Sequence, residues 1–373
     1  MTMPRLTTLT AGLSPLGIAA TFTLGAAGGG LALAAGLPLG MLFGSLLITA
    51  LAASFGLRLF GQTIAVPQKW RFVLVPVIGV AIGAHFPPGF MDLVRHWWIS
   101  LAALILFVPL AHALSYLLYR RLGRIDRRTA FFAAMPGGFI EALDMGEKAG
   151  AVMPMLIMLQ FLRLILCILL IPLGFALLSG QVVGSGSDIA LPGADAALSA
   201  RDGGILLACA GLGWWGAARL RVPAAVLAGP LALSALVHAT GLTEAAPPAW
   251  MVIVTQGVMG TALGARFSGF ERRQLVSALG LSLVSVASVL ALAALFALAL
   301  AAPSGEPAPA VLLAFAPGGI SEMSLVALSL QMAVVFVTLH HLARIVLAVL
   351  VARIGLALMP DIARNGPQDQ RAP

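Results

Sequence analysis

Long apolar segments recur along the chain, and the short stretches between them contain most of its charged residues. Runs of roughly 17–25 apolar residues are typical of helices that cross the hydrocarbon core of a bilayer. The pattern predicts an all-α polytopic membrane protein. Its helices are expected near 14–35, 38–57, 72–87, 97–119 and 150–178 in the first half, and near 203–219, 223–242, 250–267, 275–301 and 331–357 in the second.

The sequence also indicates an internal duplication. A shift of 181 positions places Met135–Arg163 on Ala316–Arg344 without a gap. Fixed-period self-similarity of this kind marks repeated structural units. Further matches relate Gly79–Phe86 to Gly260–Phe267 at the same shift, and the segments that begin at Leu37 and Val222 at a shift of 185.

Loop charge predicts that the two copies have opposite orientations. The loop at 120–128 carries five arginines and one aspartate, whereas its counterpart at 301–309 carries only Glu306. Basic loops stay on the cytoplasmic side, so the first loop should face the cytoplasm and the second the outside. We therefore expect two inverted repeats of about five transmembrane helices in a bacterial inner membrane, with both termini cytoplasmic. The expected divisions are a first transmembrane repeat over 1–178, an extracytoplasmic linker over 179–202, a second repeat over 203–358 and a cytoplasmic tail over 359–373.

Each copy contains a Pro-Gly-Gly turn that is followed by a glutamate. Irregular backbone at membrane depth survives only where protein or a water-filled cavity satisfies its polar groups. A helix that begins after such a turn directs free N–H groups and its positive dipole end toward an anion. We read 128–147 and 308–331 as re-entrant hairpins, with a broken helix that crosses the membrane as the competing reading. The motif residues are Pro136, Gly137, Gly138 and Glu141 in the first copy and Pro317, Gly318, Gly319 and Glu322 in the second.

One arginine lies deep within the long helix that follows each turn. Arg163 and Arg344 stand 13 residues beyond Gly150 and Gln331, which is about 20 Å along a helix and near mid-bilayer. A buried arginine costs around 2.5–3.5 kcal/mol and requires a partner. The two glutamates are the expected partners, and the polar residues on the same helix face are Gln160, His340 and His341.

These residues allow a structural and a functional interpretation. The arginine–glutamate pairs could simply lock each hairpin to its helix, as buried ion pairs often do. Alternatively, an arginine binds a substrate carboxylate or phosphate while a glutamate or histidine carries a coupling proton. In transporters built from inverted repeats, interrupted helices meet at a substrate site near the midplane. The repetition of the turn favours the transport interpretation.

Composition excludes several other classes. The 373 residues are 60% hydrophobic and 10% charged, whereas soluble domains carry about 25% charged residues. The net charge is +8, and the basic residues lie mostly in short loops between the apolar segments. This distribution is typical of a membrane orientation signal rather than of nucleic-acid binding. Cys167 and Cys209 both lie in apolar segments, so neither a disulfide framework nor a metal site is expected. Nucleotide-binding and zinc-protease motifs are missing from the sequence, and no cofactor is expected.

The most specific stretches, "AAMPGGFIEA" and "AFAPGGISEMS", resemble the AbrB family of bacterial membrane proteins, whose members are often labelled ammonia monooxygenase or regulator. The resemblance covers both halves and implies a duplicated integral membrane protein without an assigned substrate. The break is also similar to that of bile-acid and cation/proton antiporter-type transporters, which implies crossed broken helices. The Asn or Asp ion ligand that usually follows the break in those transporters is not matched here.

The leading hypothesis is a secondary transporter or exporter of a small anionic or amphipathic metabolite, coupled to protons and working by alternating access. The alternative is a membrane-embedded regulator or sensor that binds a ligand at the same site. A weaker alternative is a membrane monooxygenase, which would need clustered histidine and carboxylate ligands. Enzymatic activity is not expected. The expected partners are the lipid bilayer, a small-molecule substrate and protons, and a homodimer is left open.

Overall fold

The computed structural model describes most of the chain. The expected linker and tail lie almost entirely outside the described residues, as does Arg5 at the N-terminus. A helix lies at each of the positions that the hydropathy pattern predicts. The described ranges are 12–37, 39–67, 70–86, 90–179, 198–222, 224–330 and 332–359.

The described elements are almost entirely helical. A two-stranded hairpin and a 3-10 turn over Ala265–Phe267 are the exceptions among them. In chain order the elements are α1 (Pro15–Ala34), α2 (Gly40–Ser54), β1 (Arg58–Leu59), β2 (Gln62–Thr63), α3 (Trp70–Gly83), α4 (Phe90–His96), α5 (Trp98–Arg121), α6 (Arg127–Ala133), α7 (Phe139–Lys148), α8 (Met153–Ser179), α9 (Ala200–Arg219), α10 (Ala225–Ala239), α11 (Ala249–Gly264), α12 (Arg272–Ser304), α13 (Ala308–Phe315), α14 (Ile320–Ser329) and α15 (Val334–Leu358).

Five helices in the described part of the chain are long and apolar enough to cross a membrane. They are α1, α5, α8, α12 and α15. Helices α2 and α10 and most of α3 are apolar but shorter. Helix lengths and composition together are those of a multi-pass helical membrane protein.

The short hairpin after α2 was not predicted. β1 and β2 pair antiparallel, and the two residues between them, Phe60 and Gly61, both have positive φ, as tight two-residue hairpin turns require. The amide of Ser14, which caps α1, donates to Oε1 of Gln62 at 2.7 Å. Hydropathy cannot detect so short an element, because its polar side chains show no long periodicity.

The chain forms two compact units, and each draws segments from both sequence halves. The first unit contains α1–α4, α9–α11 and α14, and the second contains α5–α7, α12 and α13. The unit boundaries pass through α8 and α15 and through the first turn of α12. Among the described residues, the first unit lies within 12–96, 168–274 and 320–338, and the second within 97–167, 275–319 and 339–359.

Glycines allow two equivalent helix pairs in the first unit to pack at backbone distance. A Cβ atom on Gly44 of α2 would overlap the carbonyl of Gly28 of α1. A Cβ atom on Gly229 of α10 would overlap the carbonyl of Gly213 of α9. Both pairs are related by the shift of 185 residues. Small residues at such contacts are typical of helix association in membranes.

The same unit contains a second set of equivalent contacts, which are exchanged between the copies. Helix α2 packs on α11, and helix α10 packs on α3. A Cβ atom on Gly260 would press against the carbonyl of Leu42, and one on Gly79 against the carbonyl of Leu227. Each of these two contacts therefore joins one helix of the first copy to one helix of the second copy. The two contacts use equivalent residues.

Candidate functional site

Each Pro-Gly-Gly turn connects two short helices. The first lies between α6 and α7, and the second between α13 and α14. Gly138 is the N-cap of α7 and has φ +68°, a left-handed conformation that glycine adopts without a steric penalty. Each turn interrupts the helical structure locally and places backbone carbonyls where side chains can reach them.

The recurring glutamate occupies the third position of the helix that follows each turn. Glu141 folds back toward its own turn, since a Cβ atom on Gly138 would lie 3.2 Å from Oε2 of Glu141. Glu322 is buried, and its Oε2 accepts from the hydroxyl of Ser321 at 2.9 Å. This third position is where an acid in a capping box lies, and the helix dipole favours a negative charge there. The spacing between turn and glutamate therefore has a local structural cause.

Arg163 and Arg344 hold the two turns of the second unit through equivalent hydrogen bonds. Nη1 of Arg163 donates to the carbonyl of Met135, and Nη1 of Arg344 donates to the carbonyl of Ala316. Both acceptors are the residue directly before the proline. Arg344 also donates through Nη2 to the carbonyl of Gly318 at 2.6 Å. Each arginine therefore fixes the start of the turn in its own copy.

A neutral side chain one turn earlier on the helix supports each arginine. Oε1 of Gln160 accepts from Nη2 of Arg163 at 2.7 Å, and Nδ1 of His341 lies 2.7 Å from Nη2 of Arg344. Nε2 of Gln160 donates to the carbonyl of Phe132 at 2.8 Å. Nε2 of His341 lies 3.0 Å from the carbonyl of Leu313. Gln160 and His341 are related by the shift of 181, so a carboxamide and an imidazole occupy the same place in the two copies.

The expected arginine–glutamate partnership has to be corrected. The hydrogen bonds of both guanidinium groups go to backbone carbonyls and to Gln160 or His341. Two ion pairs seen elsewhere in the described part of the chain, Arg95–Asp92 and Lys148–Asp144, are exposed. The reason for the difference is that each turn exposes carbonyl oxygens, which a guanidinium can bind without any carboxylate.

Both arginines retain an unused donor in a buried position. Arg163 is 4% exposed and Arg344 is 1% exposed, yet the Nε–H of each has no hydrogen-bond partner within the described part of the chain. Gly137 lies beside this donor of Arg344, since a Cβ atom on the glycine would be 3.6 Å from Nε. Arg344 is within electrostatic reach of Arg163. The arrangement therefore concentrates positive charge and free donors next to the first turn.

The remaining predicted residues divide between the site and its surroundings. Nε2 of His340 lies 2.9 Å from the hydroxyl of Ser100, and its ring packs near Phe315. Pro136 and Pro317 directly follow the residues whose carbonyls accept from the arginines. Glu322 belongs to the first unit, whereas the other predicted site residues belong to the second.

Sequence reasoning missed the backbone carbonyls that act as hydrogen-bond acceptors in the site, because any residue type has such a carbonyl. They are those of Phe132, Met135, Leu313 and Ala316. In the described residues, no group of three or more His, Cys, Asp or Glu side chains is placed to hold a metal. The site is therefore one of guanidinium donors and backbone dipoles.

These features define a class of protein: a multi-pass α-helical membrane protein with two equivalent buried arginine sites beside glycine turns. Residues 46–359 match the family described as transition state regulatory protein AbrB, and the chain belongs to the AbrB family. The family resemblance of the two Pro-Gly-Gly stretches is thus confirmed. The chain is also similar to YhjN of Bacillus subtilis (strain 168), described as an uncharacterized protein, with 26% identity over 361 residues that cover 91% of each chain.

Proposed function

We propose that this protein is a secondary transporter or exporter of a small anionic or amphipathic metabolite in the bacterial inner membrane, coupled to protons. The observation that carries the proposal is the pair of buried guanidinium groups, each with an unused Nε–H donor. Arg163 and Arg344 would bind the negatively charged group of the substrate beside the first Pro-Gly-Gly turn.

Electrostatics supports an anion as the ligand. Backbone carbonyls satisfy some of the N–H groups of each arginine, but their dipoles do not neutralise its net charge. Two guanidinium groups within electrostatic reach of one another also repel. A carboxylate or phosphate oxygen would accept from the free Nε–H and offset both charges. Guanidinium groups bind such oxyanions through strong, charge-assisted hydrogen bonds.

The presence of equivalent contacts in the two copies supports transport rather than binding without movement. The packing of α2 on α11 matches the packing of α10 on α3, and the arginine contacts match between copies. Together with the opposite loop charges, these equivalences favour inverted repeats related by a pseudo-two-fold axis. In such proteins two equivalent arrangements can exchange, which opens the site alternately to either side of the membrane.

A second function is favoured by the description of the family, which names a regulatory protein. A regulator or sensor embedded in the membrane would bind the anion at the same arginines without moving it. No specific observation favours the weaker alternative of a membrane monooxygenase, and we propose no enzymatic activity.

Flux in proteoliposomes tests the proposal. Purified protein would be reconstituted with the pH-sensitive dye pyranine inside, and acetate, succinate, citrate and inorganic phosphate would be applied with and without a pH gradient. We expect at least one anion to move the internal pH in a protein-dependent way, and Arg344→Gln and Arg163→Gln to abolish this movement. Flux that both variants retain would remove the arginines from the mechanism. Anion binding without flux would favour the sensor.

A further inference from the structure

The two nitrogens of the His341 imidazole lie near two groups, each of which can play only one hydrogen-bonding role. The guanidinium of Arg344 can only donate, so Nδ1 of His341, 2.7 Å from Nη2, must accept with its lone pair. The carbonyl of Leu313 can only accept, so Nε2, 3.0 Å away, must carry the hydrogen. His341 is therefore a neutral imidazole whose two nitrogens are both engaged.

A proton on Nδ1 is incompatible with this arrangement. It would replace the lone pair by an N–H and would place a cationic ring against the cationic guanidinium of Arg344. The reverse also follows. When Nη2 of Arg344 turns toward a bound anion, Nδ1 of His341 loses its donor and becomes free to take a proton. Anion binding and proton binding therefore favour one another, as thermodynamic linkage requires of coupled sites.

The first copy contains the same contacts without the proton chemistry. Oε1 of Gln160 accepts from Arg163, and Nε2 of Gln160 donates to the carbonyl of Phe132. A carboxamide supplies an acceptor toward the arginine and donors toward backbone carbonyls, here those of Phe132 and Ala133, but unlike an imidazole it does not ionise. Of these two equivalent positions, only the one in the second copy can respond to pH.

Neighbouring groups make the response depend on the anion. On α15, Arg344 and His340 act electrostatically on His341. Helix α13 contributes the carbonyl of Leu313 and has no ionisable side chain over its length. The donor at Nη2 of Arg344 and the acceptor carbonyl of Leu313 fit a neutral ring, and this arrangement holds until a negative charge draws Arg344 away. The other ionisable groups of the surrounding elements are Arg353 on α15, Arg163 and Cys167 on α8, Glu141, Asp144, Glu147 and Lys148 on α7, Arg127 and Arg128 on α6, and His112, Tyr116, Tyr119, Arg120 and Arg121 on α5; α12 has none between residues 275 and 304.

We propose that His341 is the proton-binding site that couples proton uptake to anion binding at Arg344, and that Gln160 is its counterpart that cannot be protonated. This inference rests on the proposed function, because it assigns the coupling proton to one residue of the same site. It predicts one proton per anion. It also assigns no coupling role to Glu141, Glu322 or His340.

Substitution of each of the two residues, His341 and Gln160, by the residue type at the equivalent position tests this assignment. Binding of inorganic phosphate, succinate and citrate to the purified full chain would be followed by thermal shift between pH 5.5 and pH 7.5. In the wild type we expect anion affinity to rise as pH falls, by up to about 10-fold per pH unit, the limit for uptake of one proton. His341→Gln copies the side chain of the first copy, so it should bind anion with only the pH dependence that ionisation of the anion itself produces. Gln160→His should increase the dependence toward about 100-fold per unit.

Arg344→Gln separates failure of this inference from failure of the proposed function. If Arg344→Gln leaves the anion-induced shift unchanged, or if none of the three anions shifts the wild type, the anion site itself is wrong. If Arg344→Gln abolishes the shift while His341→Gln keeps the wild-type pH dependence, the site stands and His341 is not its proton carrier. Should His341→Gln fail to fold, Gln160→His decides, and an unchanged pH dependence in that variant contradicts the proposal.

Discussion

Gly137 lies directly beside the guanidinium group of Arg344, with space for one methyl group before contact is made. A Cβ atom built on the glycine would be 3.6 Å from Nε of Arg344 and 3.7 Å from the Cβ atom of Ala348. These are ordinary van der Waals distances. A residue of the first turn therefore controls access to the free donor of the second arginine.

Gly137→Ala should consequently fold normally and bind anions less well. The methyl group would cover Nε of Arg344, and we expect a loss of about 1–3 kcal/mol in anion binding, the value of one hydrogen bond to a charged group. Thermal shift with and without inorganic phosphate would measure both quantities. Gly138→Ala is the matched control. Its φ of +68° makes alanine strained by roughly 1–2 kcal/mol, so that variant should lose stability instead. A stable Gly137→Ala variant with undiminished binding would contradict the arrangement.

The close helix contacts of the first unit predict a second pair of effects. Gly44→Ala and Gly229→Ala would force α2 from α1 and α10 from α9, at a cost of about 1–3 kcal/mol each. Gly30 and Gly216 lie on the partner helices of these contacts, α1 and α9. No atom lies within 4 Å of a Cβ atom added at either position. Alanine at these two positions should be neutral. Apparent melting temperatures in detergent would compare the four variants. Equal changes at all four positions would show that the close helix contacts do not decide stability, since the higher helix propensity of alanine alone would raise it everywhere.

Glu306 provides a pH-dependent prediction. Partial burial raises the pKa of the Glu306 carboxyl, although a hydrogen bond from the side chain of Trp97 opposes this change. A raised pKa means that the folded state binds the proton more tightly than the unfolded state. The contribution of Glu306 to stability is therefore fully present at low pH and is lost as pH rises above about 4.3, the ordinary value for glutamate.

Glu306→Gln keeps an acceptor for Trp97 and removes the ionisation. We expect this variant to equal the wild type below about pH 4 and to melt at a higher temperature at pH 7. The exposed Glu147→Gln is the control and should follow the wild-type profile. The prediction is wrong if the wild type and Glu306→Gln lose stability in parallel as pH rises.

The opposite orientation of the two copies can be tested at equivalent exposed positions. Arg121 and Ala302 are related by the shift of 181, and both are exposed. The native Cys167 and Cys209 are buried, so single cysteines at 121 and 302 should dominate labelling by a membrane-impermeant maleimide. We expect Ala302→Cys to be labelled in intact cells and Arg121→Cys only in inverted vesicles. Labelling of both from the same side would exclude inverted repeats.

Some parts of the site were accessible to sequence reasoning and others were not. Arg163 and Arg344 could be found because a charge inside a long apolar run is costly and therefore informative. The turns could be found because glycine and proline interrupt helices. The partners of the arginines could not be found, since the carbonyls of Met135 and Ala316 belong to residues whose side chains carry no polar group. The carboxylates were expected in that role because charge alone, without geometry, favours the nearest opposite charge.

The sequence by itself determined that the chain is a multi-pass helical membrane protein, where its helices lie, and that its two halves are copies. Hydropathy and repetition are properties of residue order, and they need no coordinates. Only the tertiary structure decided that Gln160 and His341 make equivalent contacts with Arg163 and Arg344. It also decided that Glu141 lies near its own turn and that Gly137 lies beside Arg344. These relations depend on the direction of hydrogen-bond donors and on distances between residues far apart in the chain, which a pattern of hydrophobic and polar positions does not encode.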